Sequence, residues 1–553
     1  MEKEEKKLNT KFIIMGIICI CLFVIAIVPK GLQNDTFYTI KLGKLILDNG
    51  IDMKEHFAWH EGLPYTYPHW LYDVGLYLVY NVGGFNGIYI SSIVLGIVLG
   101  ITIYLTNLKL SKNSVITFFT TILILYIGKD FITARAQLIT FTLFVLEIYF
   151  IERFLQTKKK RYAIGLLVIP TIIANVHAAV FPFYFVLYMP YIAEWILSFF
   201  TTNADIITRI LLKSDELEIA KLLKKEKLSD KEQKKLEMYK ARVEKNKERM
   251  KDKTPREPYK IIIEKNQNTI WLIVIMALAV LTGLLTPIGD TPYTYLIHTM
   301  EGNTTQNISE HLPIVLYNSK YVLVYMIISI CLITFTKIKV KASDLFLLGG
   351  LMFLTIMTRR QMSLLFFVGT LVINKILAEI IEVQDKDGTK EVLKYLTHII
   401  GRIIIYAIFV AFMVISLKKI DKTEIVSNKQ YPVEATKYIK ENLDVNSIKL
   451  FNEYNFGSYL LFEDVPVFID SRADVYDPQF NKWEDDIFRD FINIVDLNTD
   501  YEKKFEHYGI THLLIYKKSL LSKMLNKDAD NYKELYSDDN FIIFERLIEN
   551  KEK

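Results

Sequence analysis

Cysteine is scarce in this chain: Cys19, Cys21 and Cys331 are the only three in 553 residues. All fall inside apolar blocks, which excludes a disulfide framework and reads them as small buried hydrophobes. Glycine-rich nucleotide loops are missing, both the Walker type and the dinucleotide fingerprint, so nothing points to ATP as an energy source. The net charge of +5 is small for this length and gives no basis for nucleic-acid binding. No long internal repeat or low-complexity tract is present.

What the sequence has is apolar blocks. Hydrophobic residues make up 51% of it, mean hydropathy is +0.22, and the apolar residues come as runs rather than as periodic faces. Runs such as "FIIMGIICICLFVIAIV" and "WLIVIMALAVLTGLL" approach the length that crosses a hydrocarbon core. The first run has no small-residue cleavage site after it and many runs follow, so it reads as a retained helix, not a signal peptide. About eleven candidate spans emerge by length: 12–29, 85–106, 114–128, 138–155, 162–175, 178–200, 268–286, 318–336, 344–357, 362–380 and 399–417. Alternating their direction puts "MEKEEKK", "NLKLSKN", "ERFLQTKKKRY", the Lys-rich insert, "TKIKVKAS" and "QDKDGTKEVLKY" on one side, which the positive-inside rule makes cytoplasmic. Three blocks, 114–128, 162–175 and 344–357, are short enough to span or to re-enter.

The expected architecture is a polytopic α-helical membrane protein with a C-terminal α/β soluble domain. Residues 1–417 form the transmembrane domain, with a first outer loop at 34–84. Residues 203–266 form a Lys/Glu-rich insert on the cytoplasmic side with the N-terminus. Its opposite charges recur at helical spacing, which predicts a solvated hairpin with Ser229 capping the second helix and Glu232 at its third position. Residues 418–553 change to a soluble pattern outside the cytoplasm. There "YPVEATKYIKENL" reads as a helix, and "IKLFNEYN", "PVFID", "THLLIYK" and "FIIFERL" read as strands.

This topology sorts the polar residues. His56, His60, His69, His177, His298 and His311 map to the outer side, His507 and His512 to the C-terminal domain, and only His398 to the cytoplasm. Polar groups at a membrane edge are expensive and mark function. Asp35 stands at the outer mouth of the first span, in the first turn of an amphipathic helix predicted to lie on the outer leaflet. It reads either as a cap for that helix or as a catalytic carboxylate. The loop then presents Trp59, His60, Glu61, Tyr65, Tyr67, His69, Trp70, Tyr72 and Asp73. The aromatics serve as interfacial anchors or as platforms for sugar rings. A divalent metal is left open, because the spacing of these His, Glu and Asp residues matches no metal-ligand pattern. "KDFITARAQLITF" places Arg135 and Gln137 at the head of the fourth span, and "ANVHAAVF" places Asn175 and His177 between two blocks. "MTRRQMS" keeps Arg359 and Arg360 outside, against the charge bias, where an anionic partner is needed. A phosphate suits the planar, permanently charged fork of arginine, and headgroup snorkelling or a loop carboxylate is the alternative.

Three stretches resemble the GT-C-fold glycosyltransferase superfamily, in its bacterial, polyprenyl-phosphate-sugar-dependent form. The first is "NDTFYTIKLGKLILDNG" with "HFAWHEGLPYTYPHWLYDVGLYLVYNVGG". The second pair, "RAQLITF" and "NVHAAVF", is similar to the group's Arg-x-Gln and Asn-x-His segments. The third, "LFNEYNFGSYLLFEDVPVFIDSRADVY", resembles the motif of its C-terminal domain and is the most specific. Ser458 and Ser471 stand where the group often has Gly, and Phe456 where Trp is common. The resemblance implies a GT-C-like fold with Asp35 at the position of the catalytic carboxylate.

The reading that follows is an integral-membrane, inverting glycosyltransferase of the cell envelope, moving a hexose or pentose from a polyprenyl-phosphate donor on the outer face. Asp35 is the expected general base. Arg359, Arg360 and Arg135 are the expected lipid-phosphate ligands, and His60, His69, Trp70, Asn175 and His177 the sugar or acceptor pocket. Asp470, Arg472 and Asp474 either pin the soluble domain through an internal Asp–Arg pair or touch substrate. The expected partners are the lipid-linked sugar and membrane lipids, without nucleic acid. A transporter or assembly scaffold for lipid-linked glycans, or a polymerase or ligase of them, is the alternative.

Overall fold

The computed structural model describes residues 2–201, 204–225, 228–251 and 260–547. Every apolar block is helical. Five are by themselves long and apolar enough to cross a membrane: Lys6–Ile27, Trp70–Ser111, Ala178–Phe200, Arg359–Gln384 and Ile399–Asp421. Four apolar helices are shorter, Ser114–Ile127, Thr269–Leu284, Lys320–Phe335 and Ala342–Met357. The other two blocks form Ala136–Thr157 and Lys160–Val176. Length and composition therefore support spanning for fewer segments than the eleven expected. Cys19 is buried as anticipated, whereas Cys331 is exposed on its helix, so its apolar environment must come from outside the fold.

The first loop departs from expectation in two ways. Residues 70–83 are helical, and the Trp70–Ser111 helix enters the span through a break at Gly84 (φ 57°, ψ −152°). The Asn34–Asn49 helix forms as its periodicity predicts, but it has no free apolar face to lay on lipid. Phe37, Tyr38, Ile40, Leu42 and Ile46 are buried between the Trp70–Ser111 helix and the Tyr454–Phe462 helix of the C-terminal domain. Gly43 permits that approach, since a Cβ there would meet the Asp73 carbonyl oxygen at 2.0 Å.

The C-terminal domain is built on a four-stranded sheet in the order Leu450–Asn452, His512–Tyr516, Phe541–Arg546, Tyr532–Ser537. The first pair is parallel and the others antiparallel. Three of these strands are where the alternation put them, and Tyr532–Ser537 is additional. "PVFID" is not a strand. The Asn452 side chain takes its backbone bonds instead, donating to the Ile469 carbonyl at 2.7 Å and accepting from the Phe468 N–H at 2.9 Å. Gly457 of the same motif lies so close that a Cβ would meet the Ile469 oxygen at 2.1 Å. Ser458 Oγ and Ser471 Oγ lie 2.7 Å apart, in hydrogen-bonding contact.

First loop and C-terminal domain share one apolar core, in which Phe37 packs against Tyr459 and Phe462. Trp59 Nε1 donates to the Leu450 carbonyl at 3.0 Å, Asn34 Nδ2 to the Tyr454 carbonyl at 3.0 Å, and Lys41 pairs with Asp464. Val467 bridges to Ala58. Elsewhere, the insert forms the expected hairpin from Ala204–Leu223 and Asp230–Lys251. Glu232 accepts from the Ser229 N–H at 3.0 Å and its hydroxyl at 2.9 Å. Residues 202–203, 226–227 and 252–259 of this region lie outside the described residues.

Candidate active site

The Asn34–Asn49 helix begins with Gln33 as its N-cap residue and has no side-chain cap bond. Asp35 therefore spends its carboxylate elsewhere. Its Oδ2 lies 2.5 Å from Arg135 Nη2, and Arg135 Nη1 reaches Glu310 Oε1 at 3.2 Å. Arg135 immediately precedes the Ala136–Thr157 helix. One guanidinium thus bridges carboxylates from two loops. Two residues on, the Gln137 side-chain oxygen, with its amide turned to suit its neighbours, accepts from Arg360 Nε at 3.1 Å and Nη2 at 2.7 Å. The Arg-x-Gln segment so sets Arg135 between two carboxylates and holds Arg360 by an amide.

These groups line a cavity of about 300 Å³ together with Tyr38, His69, Tyr72, His177, Tyr295, His311, Tyr454, Arg472 and Asp474. The elements converge from the first loop, the heads of two helices, the 304–311 segment and the C-terminal domain. The His69 and His177 rings are 6.1 Å apart. Thr140 Oγ1 is 3.0 Å from His177 Nδ1, and His69 Nδ1 is 3.4 Å from Asp73 Oδ1.

Electrostatics divide the cavity. Burial and the nearby Arg360 hold His177 far below the usual histidine range and His311 down to about 4, so both rings are neutral near pH 7. Burial opposes a charge on His69, but Asp73 outweighs it and raises that imidazole. Burial likewise opposes ionisation of Glu310, yet Arg135 and Arg360 keep it below the usual carboxylate range. Burial lifts Asp474 to about 6, against the pull of Arg472 and His69. The cavity thus holds carboxylates and arginines together, and Arg135 and Arg472 are already paired with carboxylates.

Arg472 is spent on structure. Its Nη1 and Nη2 lie 2.5 and 2.9 Å from the two Glu55 oxygens, and its Nε and Nη2 lie 2.9 and 2.6 Å from the Asp470 oxygens. Tyr476 donates to Asp470 at 2.6 Å. This buried knot ties the C-terminal motif to the first loop. Asp474 does not continue a strand with Asp470; it sits in the short Ala473–Tyr476 helix and turns to the cavity.

Asp35, Arg135, Arg360, His69, His177, Arg472 and Asp474 therefore come together at one cavity. Four residues expected there lie elsewhere. His60 is in the shared core, its Nε2 2.9 Å from the Phe468 carbonyl and its ring stacked on Trp59 at 4.1 Å. Burial pushes it down to about 4. Asn175 ties its helix to the Leu285 carbonyl at 2.9 Å. Trp70 opens its helix outside the cavity lining. Arg359 lines an adjoining cavity of about 160 Å³, which also touches Arg135, Glu310 and Arg360. Sequence reasoning missed Glu310, because nothing in its spacing separates it from Glu301 nearby. A divalent ion fits poorly: Asp35 and Glu310 converge on Arg135, and no trio of His, Cys, Asp or Glu among the described residues is placed to hold a metal.

A larger cavity of about 560 Å³ is lined by Lys112, Lys341, Asp344 and Lys375. Its principal charges are already matched: Lys375 lies 2.7 Å from both Glu152 and Asp344, and Lys341 lies 2.9 Å from Glu264. It offers a ligand less than the smaller one does.

No protein-family model matches the sequence, and no curated protein does. The fold is similar to that of the oligosaccharyltransferase of Archaeoglobus fulgidus, solved in its apo form. The TM-score is 0.52 at 9% identity, over 95% of this chain and 73% of that one. The likeness is one of overall fold.

Proposed function

We propose that this chain is a lipid-phosphate-dependent glycosyltransferase working at the 300 Å³ cavity. The observation that carries the reading is an arginine held by an amide, Arg360, across the cavity from a carboxylate, Asp35. Among the described residues no carboxylate lies at ion-pair distance from Arg360, which is available to a phosphate, whereas Arg135 has two carboxylates already. In transfer, Arg360 and the neighbouring donors stabilise the phosphate as its negative charge develops. Asp35, with one oxygen oriented by Arg135, presents the other to the acceptor and takes its proton as the acceptor attacks the anomeric carbon. Attack from the face opposite the phosphate inverts that carbon. Glu310 anchors Arg135 from the second side, and His69 and Tyr38 supply hydrogen bonds to hydroxyls.

Lysine distribution supports placing the cavity and the C-terminal domain outside the cytoplasm, with the N-terminus and insert inside. A second reading, transfer of a lipid-linked oligosaccharide instead of a single sugar, is favoured by the oligosaccharyltransferase fold. Mass-spectrometric profiles of polyprenyl-phosphate sugars and surface glycans, from cells making wild type or Asp35→Asn, test both. One accumulating lipid-linked donor and one missing decoration identify donor and product, and the size of the donor separates the two readings. Coincident profiles at equal protein levels reject Asp35 as the base.

A further inference from the structure

The cavity of about 560 Å³ lies far from the candidate active site. It is lined by Asn9, near the start of the Lys6–Ile27 helix, whereas Asp35 follows the other end of that helix. A rise of 1.5 Å per residue puts Asn9 about 27 Å from Ile27. Three lysine-rich loops meet at this cavity. Lys112 comes from "NLKLSKN", Lys339 and Lys341 from "TKIKVKAS", and Lys390 from "QDKDGTKEVLKY". The lysine distribution makes this the cytoplasmic side.

Its polar groups divide into spent and unspent. Lys375 and Lys341 are paired with Glu152, Asp344 and Glu264. Lys112 stands exposed just past its helix, in the left-handed region (φ 62°), and among the described residues no carboxylate lies at ion-pair distance from it. Lys390 has only the exposed Asp387, at 3.6 Å, a surface pair of little weight. Asn9 Oδ1 is closed off from solvent and accepts no hydrogen bond among the described residues. A buried acceptor left in that state calls for a donor. Glu379 and Glu382 line the same space, so it is no simple trap for anions. It offers a cation to a phosphate and acceptors to an ammonium.

The neighbouring surface suits a lipid. The Lys386–Thr397 helix gives Thr389, Lys390 and Leu393 to the lining, while its Val392 and Tyr395 are 42% and 72% exposed. Exposed aliphatic and aromatic side chains interleaved with lysines belong at a membrane interface, where basic pockets between helices take lipid headgroups. We propose that the cavity seats the headgroup of an inner-leaflet phospholipid that carries both a phosphate and a primary ammonium. The phosphate pairs with Lys112, and the ammonium donates to Asn9 Oδ1 and Glu379. A choline headgroup has no N–H to give, and a glycerol headgroup brings no cation to Glu379. The site uses none of the groups assigned to transfer, so it stands or falls apart from that reading.

Native mass spectrometry of the purified, delipidated full-length chain tests it, by titration with phosphatidylethanolamine, phosphatidylcholine and phosphatidylglycerol. The expected result is one phosphatidylethanolamine bound at least about tenfold more tightly than either other lipid, the equivalent of one charge-assisted bond. Lys112→Gln weakens phosphatidylethanolamine and phosphatidylcholine alike, because both carry the phosphate. Asn9→Leu and Glu379→Gln instead erase the preference for phosphatidylethanolamine over phosphatidylcholine. Lys112 and Glu379 are exposed, so their substitutions leave the fold intact. Equal binding of the three lipids overturns the proposal, as does a preference unchanged in all three variants. Glycerophosphoethanolamine, the same headgroup without acyl chains, is expected not to displace the lipid at equal concentration. Displacement by it would assign the cavity to a soluble phosphate ester and overturn the lipid as occupant.

Discussion

Arg472 and Arg360 line the same cavity, yet they are built for different work. Arg472 is buried, and Glu55 and Asp470 match each edge of its guanidinium. Arg360 is held by the amide of Gln137. The first arrangement cancels a charge and fixes the seam between the first loop and the C-terminal domain. The second fixes a guanidinium in place with no carboxylate at ion-pair distance among the described residues. Charge saturation, more than proximity to the cavity, separates the residues that assemble the site from those free to bind.

That contrast predicts which substitutions stop transfer and which stop folding. Asp35→Asn has the largest expected effect on chemistry. Removing a positioned base costs about 10²- to 10⁴-fold in rate, measured as transfer by purified protein, with the thermal unfolding temperature near wild type. Arg472→Ala should instead destabilise by about 3–5 kcal/mol, because it strands Glu55 and Asp470 as buried carboxylates. Denaturant unfolding reads this, and a wild-type midpoint would break the comparison.

Smaller effects sharpen it. Gln137→Ala leaves Arg360 charged but unheld, and losing a hydrogen bond to a charged group costs about 1.5–3 kcal/mol. The expected result is roughly a ten- to hundredfold drop in transfer by the purified, folded protein. Asp474 provides a pH test. Its carboxyl is raised to about 6 in the fold, against about 3.9 in an unfolded chain. The folded protein holds that proton more tightly, so the contribution is complete below about pH 4 and is lost as pH rises through about 6. Asp474→Asn should match wild type near pH 4 and exceed its stability by about 1–2 kcal/mol near pH 7. A constant difference across that range would contradict the assignment.

Much of the helical framework was legible because long apolar runs admit few alternatives in a membrane. Polar residues at the ends of those runs were legible as a group for the same reason, and the fold gathers Asp35, Arg135, His69, His177 and Arg360 at one cavity. Long-range pairing was not legible. His60 and Trp70 share one aromatic loop, but His60 is drawn into a core whose partner, Phe468, lies 408 residues away. Nothing local in "FAWHEG" encodes that. "PVFID" carries the alternation of a strand, but its backbone bonds go to the side chain of Asn452 and to the 57–59 segment of the first loop. Glu310 became visible only when Arg135 was seen to need a second carboxylate.

The central claim is that Arg360 binds the donor's phosphate while Asp35 acts after binding. Equilibrium binding of sugar-free polyprenyl phosphate to purified wild type, Arg360→Ala and Asp35→Asn tests it most directly. The account predicts that Arg360→Ala loses at least about tenfold in affinity, the equivalent of one charge-assisted bond, and that Asp35→Asn binds as wild type does. Wild-type affinity in Arg360→Ala, or loss of binding in Asp35→Asn, would contradict it.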